Sequence, residues 1–158
     1  MRAKKSLGLP RGARAKWGQN FLRDKGILKK IADFAQIGKD DTVVEVGPGE
    51  GTLTEFILEK AKKVFAVEKD GRMVEFLNNK FAKETKEGKL EIIEADILEL
   101  RVSSLEFQYV LIGNIPYYIT GALFKKVLEA PNPPKSITFV VQKEVAERIL
   151  AKNGKESI

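Results

Sequence analysis

The sequence predicts an α/β fold, a mostly parallel sheet with helices on both faces, and two observations lead to it. Five short apolar runs have strand length and β-branched character: "TVVEVG" (42–47), "VFAVE" (64–68), "LEIIEAD" (90–96), "YVLIGN" (109–114) and "SITFVVQ" (136–142). Amphipathic segments at helical spacing alternate with them, the pattern of strands joined by crossover helices.

Taken in order, Asp24 is placed to cap a helix over residues 25–36, where Ile27, Leu28, Ile31, Phe34 and Ala35 recur at helical spacing and Gly38 stops the run. The first strand closes in glycines and leads into a helix marked by Leu53, Phe56, Ile57 and Leu58. After the second strand Asp70 is a second cap, before a helix carrying Met73, Val74, Phe76, Leu77 and Phe81. The third and fourth strands follow, then a helix over residues 120–129, the fifth strand, and a last helix starting near Lys143.

The 158 residues are one domain's worth of chain, with an ordinary apolar fraction of 43%. The absence of Cys excludes disulfides and thiolate metal sites, and the absence of His removes the usual general base and most zinc chemistry. No apolar run approaches the roughly 20 residues of a membrane span, and no signal-peptide core is present, so the expected address is the cytoplasm. Residues 1–17 read as a flexible basic tail: Arg2, Lys4, Lys5, Arg11, Arg14 and Lys16 stand there without an acid. Such an arm suits a polyanion, since neutralised phosphates release counterions, and these six are the candidate RNA-binding residues.

In open parallel sheets ligands sit beyond the carboxyl ends of the strands, where the strand order reverses. The first strand ends in "EVGPGEG", the second in Glu68, the third in Asp96 and the fourth in "NIPYY". Gly47, Gly49 and Gly51 let backbone approach a ligand, and Glu68, about 20 residues further on, suits ribose hydroxyls. Dinucleotides and S-adenosylmethionine share this arrangement. Glu45 and Glu50 beside the loop, with no nearby base to compensate, disfavour a pyrophosphate and favour the cationic S-adenosylmethionine. Asp96 then stands where a carboxylate would accept from the cofactor's adenine amino group.

The fourth strand's ending carries the chemistry. The side-chain oxygen of Asn114 and the carbonyl of Ile115 can accept the two N6 hydrogens of an adenine, favouring a pyramidal nitrogen with its lone pair out of plane. Pro116 stiffens the turn, and Tyr117 offers a face on which an extruded base stacks. A thioether leaving group needs no protonation, which suits a chain without histidine. Tyr118 is read as core.

"GQNFL" (18–22), "VEVGPGEGTLTE" (44–55), "VFAVEKD" (64–70), "EADILEL" (95–100), "GNIPYYIT" (113–120) and "VVQKEVAERI" (140–149) together resemble the ribosomal RNA adenine N6,N6-dimethyltransferases of the small subunit, in their bacterial form. The resemblance implies a Rossmann-like class I S-adenosylmethionine-dependent methyltransferase fold. It implies transfer of methyl groups to N6 of two adjacent adenosines, with small-subunit ribosomal RNA or a pre-30S assembly intermediate as partner. It also implies that Asn20 and Leu22 close over the cofactor, with Gln19 near the target base. Lys69 and Ile97, neighbours of Glu68 and Asp96, complete the candidate cofactor-binding set, and a monomer without metal or membrane association is expected. Family members continue through two further strands and a small helical domain, whereas this chain stops at Ile158. Residues 18–158 are therefore expected to be a catalytic domain incomplete at its C-terminus, lacking the helical domain. Methylation of large-subunit RNA or of DNA adenine, a non-catalytic RNA-binding assembly factor, and a nicotinamide-dependent oxidoreductase remain as alternatives.

Overall fold

The computed structural model describes residues 22–100 and 106–150. Its elements run α1 (Lys25–Phe34), β1 (Thr42–Val46), α2 (Thr52–Lys60), β2 (Lys63–Glu68), α3 (Gly71–Lys80), α4 (Ala82–Lys86), β3 (Leu90–Glu94), β4 (Tyr109–Asn114), α5 (Tyr117–Leu128), β5 (Ser136–Val140) and α6 (Lys143–Leu150). The five strands form one sheet of order β3-β2-β1-β4-β5, and every neighbouring pair is parallel. From β1 the chain builds outward to β3, then crosses back to lay β4 on the other side of β1. The order reverses between β1 and β4, which opens a crevice beyond their carboxyl ends.

Side-chain alternation along the strands divides the core in two. Val43, Val64, Ala66, Leu90, Val110 and Ile112 pack with Leu28 and Ala32 of α1, Leu53 and Ile57 of α2, and Leu77 of α3. Val44, Val46, Val67, Tyr109 and Leu111 face the other way, against Leu123 and Val127 of α5 and against Ile97. Each fully buried aliphatic side chain contributes about 1.5–3 kcal/mol, against about 0–1 kcal/mol for exposed ion pairs such as Lys63–Glu91. The two apolar layers therefore hold the sheet.

The helix caps at Asp24 and Asp70 are present, their side chains accepting from the N–H groups of Ile27 and Arg72. Four expectations need correction. The first helix ends at Phe34 and not at 36, because Gln36 takes a left-handed φ of 50°; Gly38 instead donates its N–H to Asp41 in the following turn. Phe34 lies off the core face and is 85% exposed. α5 begins at Tyr117, three residues early: Pro116 has the φ its ring imposes, and its carbonyl accepts from the Ile119 N–H and the Thr120 hydroxyl. That start turns Tyr118 outward, 57% exposed, so it is not core. α4 has no counterpart among the sequence expectations, since "AKETK" lacks apolar periodicity; none of its residues is buried.

Candidate functional site

A cleft of about 250 Å³ lies beyond the carboxyl ends of the strands, and the four predicted strand endings meet there: Gly47 after β1, Glu68 of β2, Asp96 after β3 and Asn114 of β4. Lys69, Ile97, Ile115, Pro116 and Tyr117 also line it. A residue absent from the sequence expectations joins them. The strand-ending rule, applied to the fifth strand as well, names Gln142, which lines the opposite wall with Val140 and Val141.

Glu68 forms a buried acidic floor, 2% exposed. Its Oε2 accepts the Gly49 N–H at 3.1 Å, and its Oε1 accepts the N–H groups of Lys69 and Asp70 at 2.8 and 3.0 Å. Burial raises its pKa above the ordinary carboxylate value, and these three amides act in the opposite direction. A carboxylate has about four acceptor positions, so three bonds leave room for a hydroxyl donor. Asp96 sits higher in the cleft, with Oδ2 2.6 Å from Lys69 Nζ and Oδ1 accepting the Leu98 N–H at 2.9 Å. The bond from Lys69 is the main cause holding its carboxyl below the usual range, with the Leu98 amide second.

The glycines have three separate functions. All three take left-handed φ values, 64°, 56° and 72°. Gly47 lines the cleft, and its N–H donates to Val67 O at 2.9 Å. Gly49 bonds Glu68. Gly51 starts α2 against α3, where an added Cβ would lie 2.5 Å from a ring carbon of Phe81; its N–H donates to Pro48 O at 2.8 Å. Gly49 and Gly51 thus shape the loop and do not line the cleft. The expectation of no base near this loop is overturned. Arg23 lies 2.6 Å from Glu50 Oε1, and Lys80 bonds the Glu50 carbonyl at 2.9 Å and Glu55 at 2.7 Å. Both bases are distant in sequence and arrive through folding. A different observation now disfavours a pyrophosphate: the amides of all three glycines are already engaged inside the protein, so they offer no anion cradle.

Glu45 and Leu22 also fall outside the cleft lining. Glu45 alternates inward from β1, is 1% exposed, and accepts from the Thr54 hydroxyl at 2.7 Å. Burial pushes its carboxyl up to about 8, and the charge of Glu68 adds to the shift. Leu22 packs against the α1–α3 layer, and its carbonyl accepts from the Thr52 hydroxyl at 3.2 Å. Gln19, Asn20 and the six basic tail residues lie outside the described residues.

At the end of β4 an added Cβ on Gly113 would sit 2.5 Å from Val46 O, so this glycine is what lets the strand press close to β1. The Ile115 N–H donates to Val140 O at 3.0 Å, fixing the turn against β5. Tyr117 and Tyr118 stand on the rim, 62% and 57% exposed, with ring centroids 5.7 Å apart and planes perpendicular. Among the described residues no helix is long and apolar enough to cross a membrane, and no cluster of three or more metal-ligating side chains occurs.

The family model described as "Ribosomal RNA adenine dimethylase" matches residues 11–158. The ribosomal RNA small subunit methyltransferase A of Dehalococcoides mccartyi (strain CBDB1) is 42% identical over 145 residues, covering 90% of this chain and 49% of that protein. The chain spans about half the length of the curated relatives it matches. Among solved structures, the 23S rRNA methyltransferase ErmE aligns with a TM-score of 0.71 at 34% identity, covering 82% of this chain and 50% of that one. A dimethyladenosine transferase from Plasmodium falciparum aligns at 0.69 and 34%, covering 84% and 47%. The sheet and its helices have the fold of S-adenosylmethionine-dependent methyltransferases, and the chain belongs to the ribosomal RNA adenine dimethylase family.

Proposed function

We propose that the chain carries the methyl-transferring site of an enzyme that dimethylates N6 of two adjacent adenosines in small-subunit ribosomal RNA during ribosome assembly, with S-adenosylmethionine as donor. The observation that supports this reading most is the convergence of Gly47, Glu68, Asp96 and Asn114 on one cleft, with Tyr117 on its rim. When bound, the donor supplies an electrophilic methyl group on a sulfonium. Glu68 accepts from the donor's ribose hydroxyls, Asp96 accepts from its adenine amino group, and Gly47 leaves the space in which backbone and donor meet. Asn114 Oδ1 and the Ile115 carbonyl accept from the target N6, where positive charge develops as the bond to carbon forms. Tyr117 supplies the stacking face for the extruded base, and the basic residues of the tail hold phosphates.

Incubation with tritiated donor and undermethylated small-subunit RNA tests the reading; label is expected on adenosine N6. Asn114→Ala should lower the rate by about 10²–10³-fold, the usual effect of removing one transition-state hydrogen-bonding group, with its unfolding transition unchanged. Full activity in that variant would overturn the mechanism. Likeness to ErmE at 34% identity keeps large-subunit RNA as a second substrate to compare in the same assay.

A further inference from the structure

Lys69 directly follows Glu68 at the tip of β2, and its ammonium bonds Asp96 Oδ2, after the neighbouring strand β3, at 2.6 Å. Both residues line the cleft. The two bonds to Asp96 differ in kind. Leu98 donates from the backbone to Oδ1, so that bond is fixed by the chain. Lys69 donates from the end of a long side chain that is 61% exposed and has many rotamers. Glu99 and Tyr118 lie within electrostatic reach of the same ammonium, so it has a second acidic neighbour if it leaves Asp96.

We propose that Lys69 is a latch on the adenine end of the cleft: its ammonium competes with a purine 6-amino group for Asp96 Oδ2 and thereby broadens the range of purines the pair accepts. The inference rests on the reading of Asp96 as the acceptor for the donor's adenine. An ammonium only donates and a carboxylate only accepts. Adenine presents an N–H donor at C6, which Asp96 suits and the ammonium of Lys69 opposes. Hypoxanthine presents a carbonyl oxygen there, which Lys69 suits and Asp96 repels. With both residues present the pair accommodates either base; with Asp96 alone it selects the amino group. The Lys69–Asp96 bond is partly exposed, so it is modest in strength and weakened by salt.

Lys69→Met keeps the aliphatic stem and removes the ammonium. The probe is methylthioadenosine, an uncharged nucleoside thioether, titrated calorimetrically against the full chain. The variant should bind it up to about fivefold tighter, the span of an exposed ion pair. Wild-type affinity should rise as salt is increased towards about 0.5 M, where screening acts over a few ångströms, and the variant should show no such rise. Methylthioinosine should bind the variant more weakly than wild type, widening the adenine-to-hypoxanthine ratio. Equal or weaker binding of methylthioadenosine by the variant, or an unchanged ratio, overturns the latch while leaving the Asp96 reading in place. A wild-type chain that binds neither this nucleoside nor S-adenosylmethionine removes that reading, and the latch with it.

Discussion

Glu45 offers the sharpest quantitative test of the core beneath the cleft. Its carboxyl is buried within the sheet, its Oε2 accepts from Thr54 at 2.7 Å, and its pKa stands at about 8 against 4.5 for an unperturbed glutamate. The folded chain therefore binds this proton more tightly than the unfolded chain. Stability from this group is fully present below pH 4.5 and is lost as pH rises towards about 8. At pH 7 the loss covers about 2.5 pH units, and at 1.36 kcal/mol per unit it is about 3 kcal/mol. Glu45→Gln removes the ionisation and keeps a side-chain oxygen to accept from Thr54. In urea unfolding followed by circular dichroism, the variant should lie within about 1 kcal/mol of wild type at pH 5 and exceed it by about 3 kcal/mol at pH 7. A stability difference that stays flat across this range, or a variant less stable than wild type at pH 8, would refute the reasoning.

Two further outcomes follow from the loop and the rim. Gly51→Ala places a Cβ 2.5 Å from Phe81 and 2.8 Å from Leu77 at a φ of 72°. Strain and overpacking together should destabilise the chain by about 2–4 kcal/mol, read as a fall in the urea midpoint. Tyr117→Ala should weaken binding of single-stranded adenosine-containing RNA by about 1–3 kcal/mol, the usual worth of a base–aromatic stack. Tyr117→Phe should bind as wild type does, and neither change should alter binding of S-adenosylmethionine in calorimetry.

The strands are the most legible part of the fold, because buried parallel strands require apolar β-branched runs wherever the sheet places them. The endings of the first four are legible for the same reason: a polar residue after such a run stands at the sheet's carboxyl edge. What the sequence conceals is what folding brings together from a distance. Arg23 and Lys80 reach Glu50 across 27 and 30 residues, so an inference from sequence neighbours misses both. Glu45 sits one strand position from the glycine loop, yet alternation turns it into the core and away from the cleft. Periodicity places the start of α5 too late because Tyr117 and Tyr118 carry no helical apolar pattern; the helix begins there through the fixed φ of Pro116. Gly49 and Gly51 look alike in the motif, and only the backbone separates an amide that holds Glu68 from a missing side chain that admits Phe81.

The placement of β4 beside β1 also bears on how the molecule assembles. β1, β2 and β3 are successive in the chain and pair with each other in turn, whereas β4 must return past two strands to reach its place. Closing that larger loop carries the greater entropic penalty, which puts the β4 docking step late. The cleft straddles this joint, with Glu68 on one half and Asn114 on the other. The cleft is thus completed only when β4 docks, and a partial opening along the joint would split it while the first three strands stayed intact.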